Sequence, residues 1–288
     1  MRPFRFGVNL LDPTVDWTAT SRRVEELGYD VLLVPDHLGF PAPFPALVAA
    51  AAATERVRLG TFVLNAAFYN ATVLARDVAA TDALTGGRFE LGLGAGYVKT
   101  EFDAAGIPFG SGGTRLDHLA TVTRRVQELL ADPEHRPAPA QRPVPLLLGG
   151  QGNRMLRLAA TTADIVGFTG LSSDAEGNLQ VQPAAALDER VAFVRAAAGE
   201  RFEQLELNLL VQVVDTSASP DQGPAALAEQ YGTSIDPATL AEVPTFLFGP
   251  PEQLAEELTA ARDRYGISYF TVLSPFMEQF AEVAKLLR

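Results

Sequence analysis

Short apolar runs alternate along the chain with longer amphipathic stretches. Phe4 to Asn9 and Val31 to Val34 predict the first two strands. Between them, Asp16 to Leu27 predicts an amphipathic helix, and Gly28 is placed to end it. This order of strand, helix and strand is typical of parallel sheets, whose strands are buried on both faces.

The same alternation continues to the C-terminus. An alanine-rich helix is predicted to begin at Pro45, and Asn70 is a suitable N-cap for a helix that runs to Leu84. Later helices are predicted at 114–130, 184–198 and 251–264. Six further strands are predicted at Val57 to Leu64, Phe89 to Leu93, Val144 to Leu148, Ile165 to Phe168, Leu205 to Val214 and Tyr269 to Leu273.

The total of eight strands is the number that closes a (β/α)8 TIM barrel. A doubly wound open sheet shows the same alternation and remains an alternative, although the strand count favours the barrel. We expect a single barrel domain over residues 1–288, with insertions near 97–113 and 215–243.

Composition excludes several classes of function. The net charge of −12 would repel a polyphosphate, so we expect no nucleic-acid partner. The absence of Cys removes thiol catalysis and disulfides. No apolar run approaches the length of a membrane span and no signal peptide is recognised, so we expect no membrane partner and a cytoplasmic location.

Candidate chemistry follows the strands, because the active site of a TIM barrel lies at their carboxyl ends. His37 is the leading acid or base, since imidazole titrates near neutral pH. Tyr97 and Glu101 could also move a proton. The alternatives are that Asp36 only braces a loop, that His37 packs beside it, and that Tyr97 and Glu101 are merely solvated.

Two glycine clusters also follow strands. Gly92, Gly94 and Gly96 do not form the dinucleotide fingerprint, because the third glycine comes one position too early. One interpretation is that they let the backbone approach a flat ring. Residues 149–152 precede a helix whose free N–H groups could hold a phosphate, with added charge from Arg154 and Arg157. The alternative is a tight strand-to-helix turn.

Other barrel chemistries fit poorly. With three His, no Cys and no His-x-His pair, the chain lacks the usual metal ligand sets, so we expect no metal. No Gly-x-Ser-x-Gly motif indicates a serine hydrolase.

An ordered set of segments resembles the luciferase-like monooxygenase superfamily, and is closest to its branch that uses the deazaflavin coenzyme F420. The set covers nearly the full chain. The resemblance implies a (β/α)8 barrel, usually dimeric, that holds F420 or FMN at its C-terminal face. The segments are Pro35-Asp36-His37, Val57 to Thr61, Leu84 to Gly96, Leu148 to Gly152, Ala163-Asp164 and Phe248 to Glu252.

The resemblance also implies roles for residues. Asp36 and His37 would contact the deazaflavin and the substrate, and the end of the third strand, near Phe62 to Asn65, would form a bulge, often with a non-prolyl cis peptide, against which the ring rests. The loops after the fourth and fifth strands would flank the ring and the phosphate. The resulting cofactor-binding candidates are Asn9, Asp36, Val63, Asn65, Gly94, Ala95, Gly149, Gly150, Gln151 and Gly152.

We therefore expect hydride transfer between C5 of F420 and a small organic substrate, with His37 or Tyr97 handling the proton. Sugar-phosphate oxidation is not expected, because Tyr97 stands where sugar-phosphate dehydrogenases of this branch carry an acidic residue; Glu101 could substitute in part. The alternatives are an FMN-dependent two-component monooxygenase and a non-catalytic flavin- or deazaflavin-binding protein. Phe40, Phe44, Phe68 and Phe109 are candidates either for an apolar pocket or for the core.

Overall fold

Eight parallel strands close into a barrel in this computed structural model, which describes residues 2–173, 179–219, 222–230 and 235–288. Each strand pairs with its neighbours, and β8 pairs with β1 to complete the ring. The strands are β1 Arg5–Asn9, β2 Val31–Val34, β3 Arg58–Thr61, β4 Phe89–Gly94, β5 Leu146–Gly149, β6 Ile165–Phe168, β7 Glu206–Val211 and β8 Ile267–Leu273. The predicted (β/α)8 barrel is confirmed, and the open-sheet alternative is excluded.

Helices cover the outside of the barrel. They are α1 Trp17–Glu26, α2 Pro43–Ala53, α3 Ala71–Leu84, α4 Lys99–Ala105, α5 Gly112–Ala131, α6 Asn153–Thr162, α7 Ala184–Ala198, α8 Gly223–Gln230, α9 Pro237–Ala241, α10 Pro251–Tyr265 and α11 Met277–Leu286. The predicted caps are confirmed. The Asp16 side chain accepts from the N–H of Ala19, and the Asn70 side chain caps the first turn of α3.

The predicted third strand is interrupted. A cis peptide joins Phe62 to Val63, and the chain resumes as a short strand at Leu64–Asn65 that also pairs with β4. The single strand predicted from Val57 to Leu64 is therefore wrong, because an apolar run does not reveal where the backbone leaves the ladder. The bulge implied by the resemblance is confirmed.

The predicted strand from Leu205 to Val214 is two strands in different sheets. After β7, Gln212 turns the chain outward, and Val213–Asp215 pairs in parallel with Phe246–Phe248 outside the barrel. The Gln212 backbone N–H donates to the carbonyl of Thr245 at 2.8 Å. Two sheets can share one continuous apolar run, so hydrophobicity alone did not separate them.

Both predicted insertions contain short helices. The 97–113 segment includes α4, which was missed because its seven residues are too few for a periodic pattern. Helix α5 starts at Gly112 rather than 114, since Ser111 caps it, and α2 starts at Pro43 rather than Pro45. The 215–243 segment holds α8 and α9, while its residues 220–221 and 231–234 lie outside the described residues, as do 174–178 of the 170–183 loop.

An ion-pair network fills the N-terminal end of the barrel. Arg5 bonds to Glu206 at 2.8 Å, and both Arg5 and Arg58 bond to Glu90, which is 4% exposed. The guanidinium of Arg5 also lies over the ring of Tyr269. The open end of the barrel is therefore the opposite one, where the strands have their carboxyl ends.

Among the described residues, no helix is long and apolar enough to cross a membrane. The same part of the chain contains no group of three or more His, Cys, Asp or Glu side chains placed to hold a metal ion.

Candidate active site

A histidine and a carboxylate from different loops meet at the open end of the barrel. His37 follows β2, and Glu101 lies on α4 in the loop after β4. His37 Nδ1 is 2.9 Å from Glu101 Oε1, and the two side chains are 29% and 14% exposed. A carboxylate at Nδ1 holds the proton on that nitrogen, which leaves the lone pair on Nε2. The pair is therefore arranged to accept or return a proton at Nε2.

Aromatic rings surround His37. The ring of Phe40 is 6.1 Å away, and the ring of Tyr97 meets it edge-on at 6.0 Å. The Phe40 N–H donates to the His37 carbonyl at 3.1 Å, which closes a turn over Leu38 and Gly39. The structure thus brings together His37, Tyr97 and Glu101, the three predicted catalytic candidates.

Asp36 braces the neighbouring strand end. Its Oδ2 accepts from the backbone N–H of Asn65 at 3.0 Å, and its carboxylate also accepts from the hydroxyl of Tyr69. Burial raises the pKa of Asp36, although the Asn65 N–H and the Tyr69 hydroxyl oppose the rise. Of the roles left open for Asp36, bracing is the one visible here, and contact with a cofactor stays a prediction.

The glycines at the end of β4 and just after it accommodate neighbouring protein atoms. A Cβ on Gly92 would lie 1.9 Å from the carbonyl oxygen of Thr61, and one on Gly94 would lie 2.6 Å from Val63 Cγ2. A Cβ on Gly96 would lie 2.4 Å from the Asn65 side chain. This packing accounts for the missing side chains, and the approach of a flat ring to the same backbone stays a prediction.

Val63 lies between the ends of β4 and β5. Its side chain packs over Gly94, and its Cγ1 would be 3.5 Å from a Cβ on Gly149. The β3 bulge therefore presents an apolar side chain between the ends of β4 and β5, a surface against which a flat ring can pack. Ala95, which follows Gly94, is partly buried.

Asn9 supplies a polar group at the end of β1. The residue is 4% exposed, and its Oδ1 has no hydrogen-bond partner among the described residues. Buried polar atoms are normally paired, so an unpaired amide oxygen here suits a ligand that donates an N–H.

The loop after β5 leads into α6. Gly152 is the N-cap and offers no side-chain bond to the first turn, so the helix N–H groups are open to an anion. The Gln151 side chain bonds to Thr169 Oγ1 at 3.0 Å and so ties this loop to the one after β6. Gly150 is packed against Met155.

The two arginines expected to add charge at α6 are already engaged. Arg154 pairs with Asp117 at 2.6 Å, and the guanidinium of Arg157 lies 5.3 Å from the ring centre of Phe193. Asp117 offsets the positive charge of Arg154, while Arg157 keeps its charge, so added charge from Arg157 stays a prediction.

The four candidate phenylalanines separate into groups. Phe44 packs against Tyr69 and Phe89 in the core, while Phe68 and Phe109 both pack against Phe102 of α4. Only Phe40 contacts His37 among the four.

Three residues that shape the site were missed by sequence reasoning. Tyr69 bonds to Asp36, and Phe102, which is 1% exposed, anchors α4 and with it Glu101. Arg115 holds the glycine loop through a bond from Nε to the Gly96 carbonyl at 3.1 Å. Phe102 had a visible signal, since it is a lone aromatic residue in a polar helix; the other two had none.

The chain belongs to the luciferase-like monooxygenase family, whose model matches residues 14–268. The F420-dependent glucose-6-phosphate dehydrogenase of Beutenbergia cavernae is 33% identical over 174 residues, which are 52% of this chain and 51% of that protein. The chain spans about half the length of the curated relatives that it matches first, between 51% and 60%.

Solved structures share the fold along the whole chain. An F420-dependent secondary alcohol dehydrogenase in complex with an F420–acetone adduct has a TM-score of 0.81 at 17% identity and covers 100% of both chains. The oxygenating constituent of 3,6-diketocamphane monooxygenase from Pseudomonas putida, in complex with FMN, has a TM-score of 0.74 at 15% identity, over 99% of this chain and 98% of that one. These relatives are oxidoreductases, two with F420 and one with FMN.

Proposed function

We propose that the protein is an F420-dependent oxidoreductase that transfers a hydride between C5 of the deazaflavin and a small organic substrate. The observation that carries the proposal is the pair of His37 and Glu101 at the open end of the barrel. The F420-dependent glucose-6-phosphate dehydrogenase of Beutenbergia cavernae, which is 33% identical over 174 residues, supports the choice of cofactor.

The residues at the opening fit a flat ring that carries an imide edge and a phosphate. Val63 offers an apolar surface between the ends of β4 and β5, and Asn9 Oδ1 offers an acceptor for a ring N–H. The open N-terminus of α6 suits a phosphate. Asn65, Gly94, Ala95 and the loop 149–152 complete the proposed cofactor contacts, with Asp36 holding Asn65 in place.

When bound, F420 supplies a two-electron hydride acceptor or donor at C5. The chain's own contribution is placement and proton handling. His37 Nε2 accepts the hydroxyl proton when an alcohol is oxidised, and returns a proton to oxygen when a carbonyl is reduced. Glu101 keeps the imidazole oriented and stabilises its protonated form through the 2.9 Å bond to Nδ1.

Two alternatives remain. An FMN-dependent two-component monooxygenase is favoured by the shared fold with the FMN-bound diketocamphane enzyme. A non-catalytic flavin- or deazaflavin-binding protein would keep the cofactor contacts and show no turnover that depends on His37.

The test is a parallel titration of the purified protein with F420 and FMN, oxidised and reduced, followed by absorbance and fluorescence. We expect a micromolar Kd for F420 and a much weaker one for FMN. Preference for FMN, with oxygen uptake when reduced FMN is supplied, would transfer the assignment to the monooxygenase. Binding of neither cofactor would remove the proposal, and F420 turnover that is indifferent to His37→Ala would remove the role of His37.

The proposal includes assembly as a homodimer. Helix α2 carries no charged residue, and its side chains Pro45, Ala49 and Ala52 are exposed; Val73 of the next helix, α3, is 43% exposed. Two chains of net charge −12 can approach there without direct repulsion. Light scattering should give twice the chain mass, and Ala49→Glu should reduce it. The cytoplasmic location stays a prediction from the sequence.

A further inference from the structure

Three apolar side chains form a rim around His37, which we call the aromatic rim: Leu38, Phe40 and Tyr97. Five large apolar side chains are exposed among the described residues, and two of them, Tyr97 at 73% and Leu38 at 50%, belong to this rim. Removal of apolar side chains from water is favourable, so a cluster of exposed apolar side chains often marks a binding site. The rim is therefore suited to contact whatever approaches His37.

The charged groups near the rim disfavour an anion. Asp36 and Glu101 bring two carboxylates to the same opening. Two cations close to Tyr97, Lys99 in the sequence and Arg115 through its bond to Gly96, are engaged in other contacts. Lys99 pairs with Asp103 at 2.6 Å, and Arg115 lies over the ring of Phe109 while bonding to backbone carbonyls.

We propose that the aromatic rim selects an uncharged substrate with a ring or alkyl surface, and that Tyr97 is the residue that determines this specificity. The inference rests on the proposed function, since it names the substrate class of the same site. It also separates the work of two neighbours: His37 handles the proton, and the ring of Tyr97 covers the apolar part of the substrate.

The geometry supports this division. The Tyr97 and His37 rings are nearly perpendicular, at 88°, and Tyr97 is 73% exposed, so its ring is accessible to a substrate that stacks on it. A substrate that reaches Nε2 of His37 would come close to the rings of Tyr97 and Phe40, whose centres lie 6.0 and 6.1 Å from that of the imidazole. Leu38, next to His37 in the chain, adds exposed apolar surface.

Three probes with the same six-membered ring and different charge test the proposal: cyclohexanol, cyclohexanecarboxylate and cyclohexylamine. Their binding is measured by saturation-transfer NMR and calorimetry, on the protein alone and on the F420-loaded protein. Turnover of cyclohexanol with F420 is followed separately. Because probe binding does not require turnover, failure of the substrate class and failure of the F420 assignment give different results.

We expect cyclohexanol to bind at least about tenfold more tightly than either charged probe. The carboxylates repel cyclohexanecarboxylate, and the apolar rings would desolvate the ammonium of cyclohexylamine while Glu101 is already paired with His37. Tyr97→Ala should weaken cyclohexanol binding about tenfold, while Tyr97→Phe should stay within about twofold, since it keeps the ring. Tyr97→Arg should shift preference toward cyclohexanecarboxylate.

Leu84→Ala is the matched control. Leu84 is 68% exposed, similar to Tyr97, but it ends α3 at the opposite face of the barrel. This variant should leave the affinity for all three probes unchanged.

Other outcomes overturn the proposal. Equal or tighter binding of cyclohexanecarboxylate would show an anion site, and tighter binding of cyclohexylamine would show a cation site built on the carboxylates. If Tyr97→Ala binds cyclohexanol like the parent protein, Tyr97 does not determine specificity. If Tyr97→Phe loses turnover while keeping affinity, the hydroxyl acts on the proton and the division of work is wrong.

Discussion

His37 Nδ1 and Glu101 Oε1, which lie 64 residues apart in the chain, are 2.9 Å apart at the mouth of the barrel. We expect Glu101→Gln to lower kcat about tenfold to a hundredfold, because the charge-assisted bond that stabilises protonated His37 is lost. KM should change little. Steady-state kinetics with F420 and an alcohol that the protein oxidises would show a lower kcat with a nearly unchanged KM.

Asp103→Asn is the control for that experiment. Asp103 lies on the same helix and pairs with exposed Lys99, away from His37. A similar loss of kcat in both variants would mean that α4 had been disturbed as a whole, and the specific role of Glu101 would be withdrawn.

A second prediction concerns the close approach of β3 to β4. Gly92→Ala would place a Cβ 1.9 Å from the Thr61 carbonyl oxygen, so backbone must move. We expect a loss of at least about 2 kcal/mol in the free energy of unfolding. Gly152→Ala, where nothing lies within 4 Å of the added Cβ, should be tolerated. Urea unfolding of the two variants tests this prediction. Equal unfolding midpoints would show that β3 moves to accommodate the added methyl group at little cost.

The third prediction follows from Asp36, whose pKa is raised by burial. The folded state holds this proton more strongly than the unfolded state, so Asp36 makes stability fall as pH rises from its ordinary pKa through the raised one. Asp36→Asn removes the titration and keeps an acceptor for Asn65. Its melting temperature should therefore fall less than that of the parent between about pH 4 and about pH 7.

Asp215 provides a contrast of opposite sign. Hydrogen bonds from Ser217 lower its pKa, so its contribution is present at higher pH and is lost as pH falls through the lowered value. Asp215→Asn should reduce the loss of stability as pH falls on the acid side.

The Asp36 prediction is contradicted if the stability of Asp36→Asn changes with pH in parallel with that of the parent between about pH 4 and about pH 7, because Asp36 would then not titrate in that range.

The fourth prediction concerns the closed end of the barrel. Arg5→Met leaves buried Glu90 with Arg58 alone and leaves Glu206 without its partner. We expect a loss of about 3 kcal/mol in unfolding free energy with F420 affinity unchanged, because the network is remote from the opening. Arg23→Met, which breaks an exposed pair with Glu278, should leave the unfolding midpoint nearly unchanged. Weakened F420 binding in Arg5→Met would contradict the separation of the two ends.

The barrel was predictable because its evidence is local. Buried parallel strands are short apolar runs, and caps such as Asp16 and Asn70 mark helix starts within a few residues. The β2 and β6 boundaries agree with the prediction for this reason. The break in β3 and the turn at Gln212 were not predictable, since each depends on atoms supplied by distant segments.

The location of the candidate site residues at the ends of strands was predictable, but most of their side-chain partners were not. The topology places His37, Tyr97 and Glu101 after strands, and the structure brings them together. The pairing of Asp36 with Tyr69 depends on the path of the segment after β3. The pattern of apolar and polar residues does not indicate that path. The glycines were ambiguous in the sequence, because a missing side chain looks the same whether the space is left for a ligand or is filled, as here, by Thr61 and Val63.

The small outer sheet of Val213–Asp215 and Phe246–Phe248 fixes both ends of the segment between its strands. The strands run parallel, so the chain leaves at Asp215 and comes back to the start of the second strand at Phe246, where the Gln212 N–H donates to the Thr245 carbonyl. The segment is also bonded to its surroundings, since the Thr216 N–H donates to Gln279 and the Glu242 carbonyl accepts from Ala184. A change of length between these fixed points should therefore leave the register of β7 and β8 unchanged.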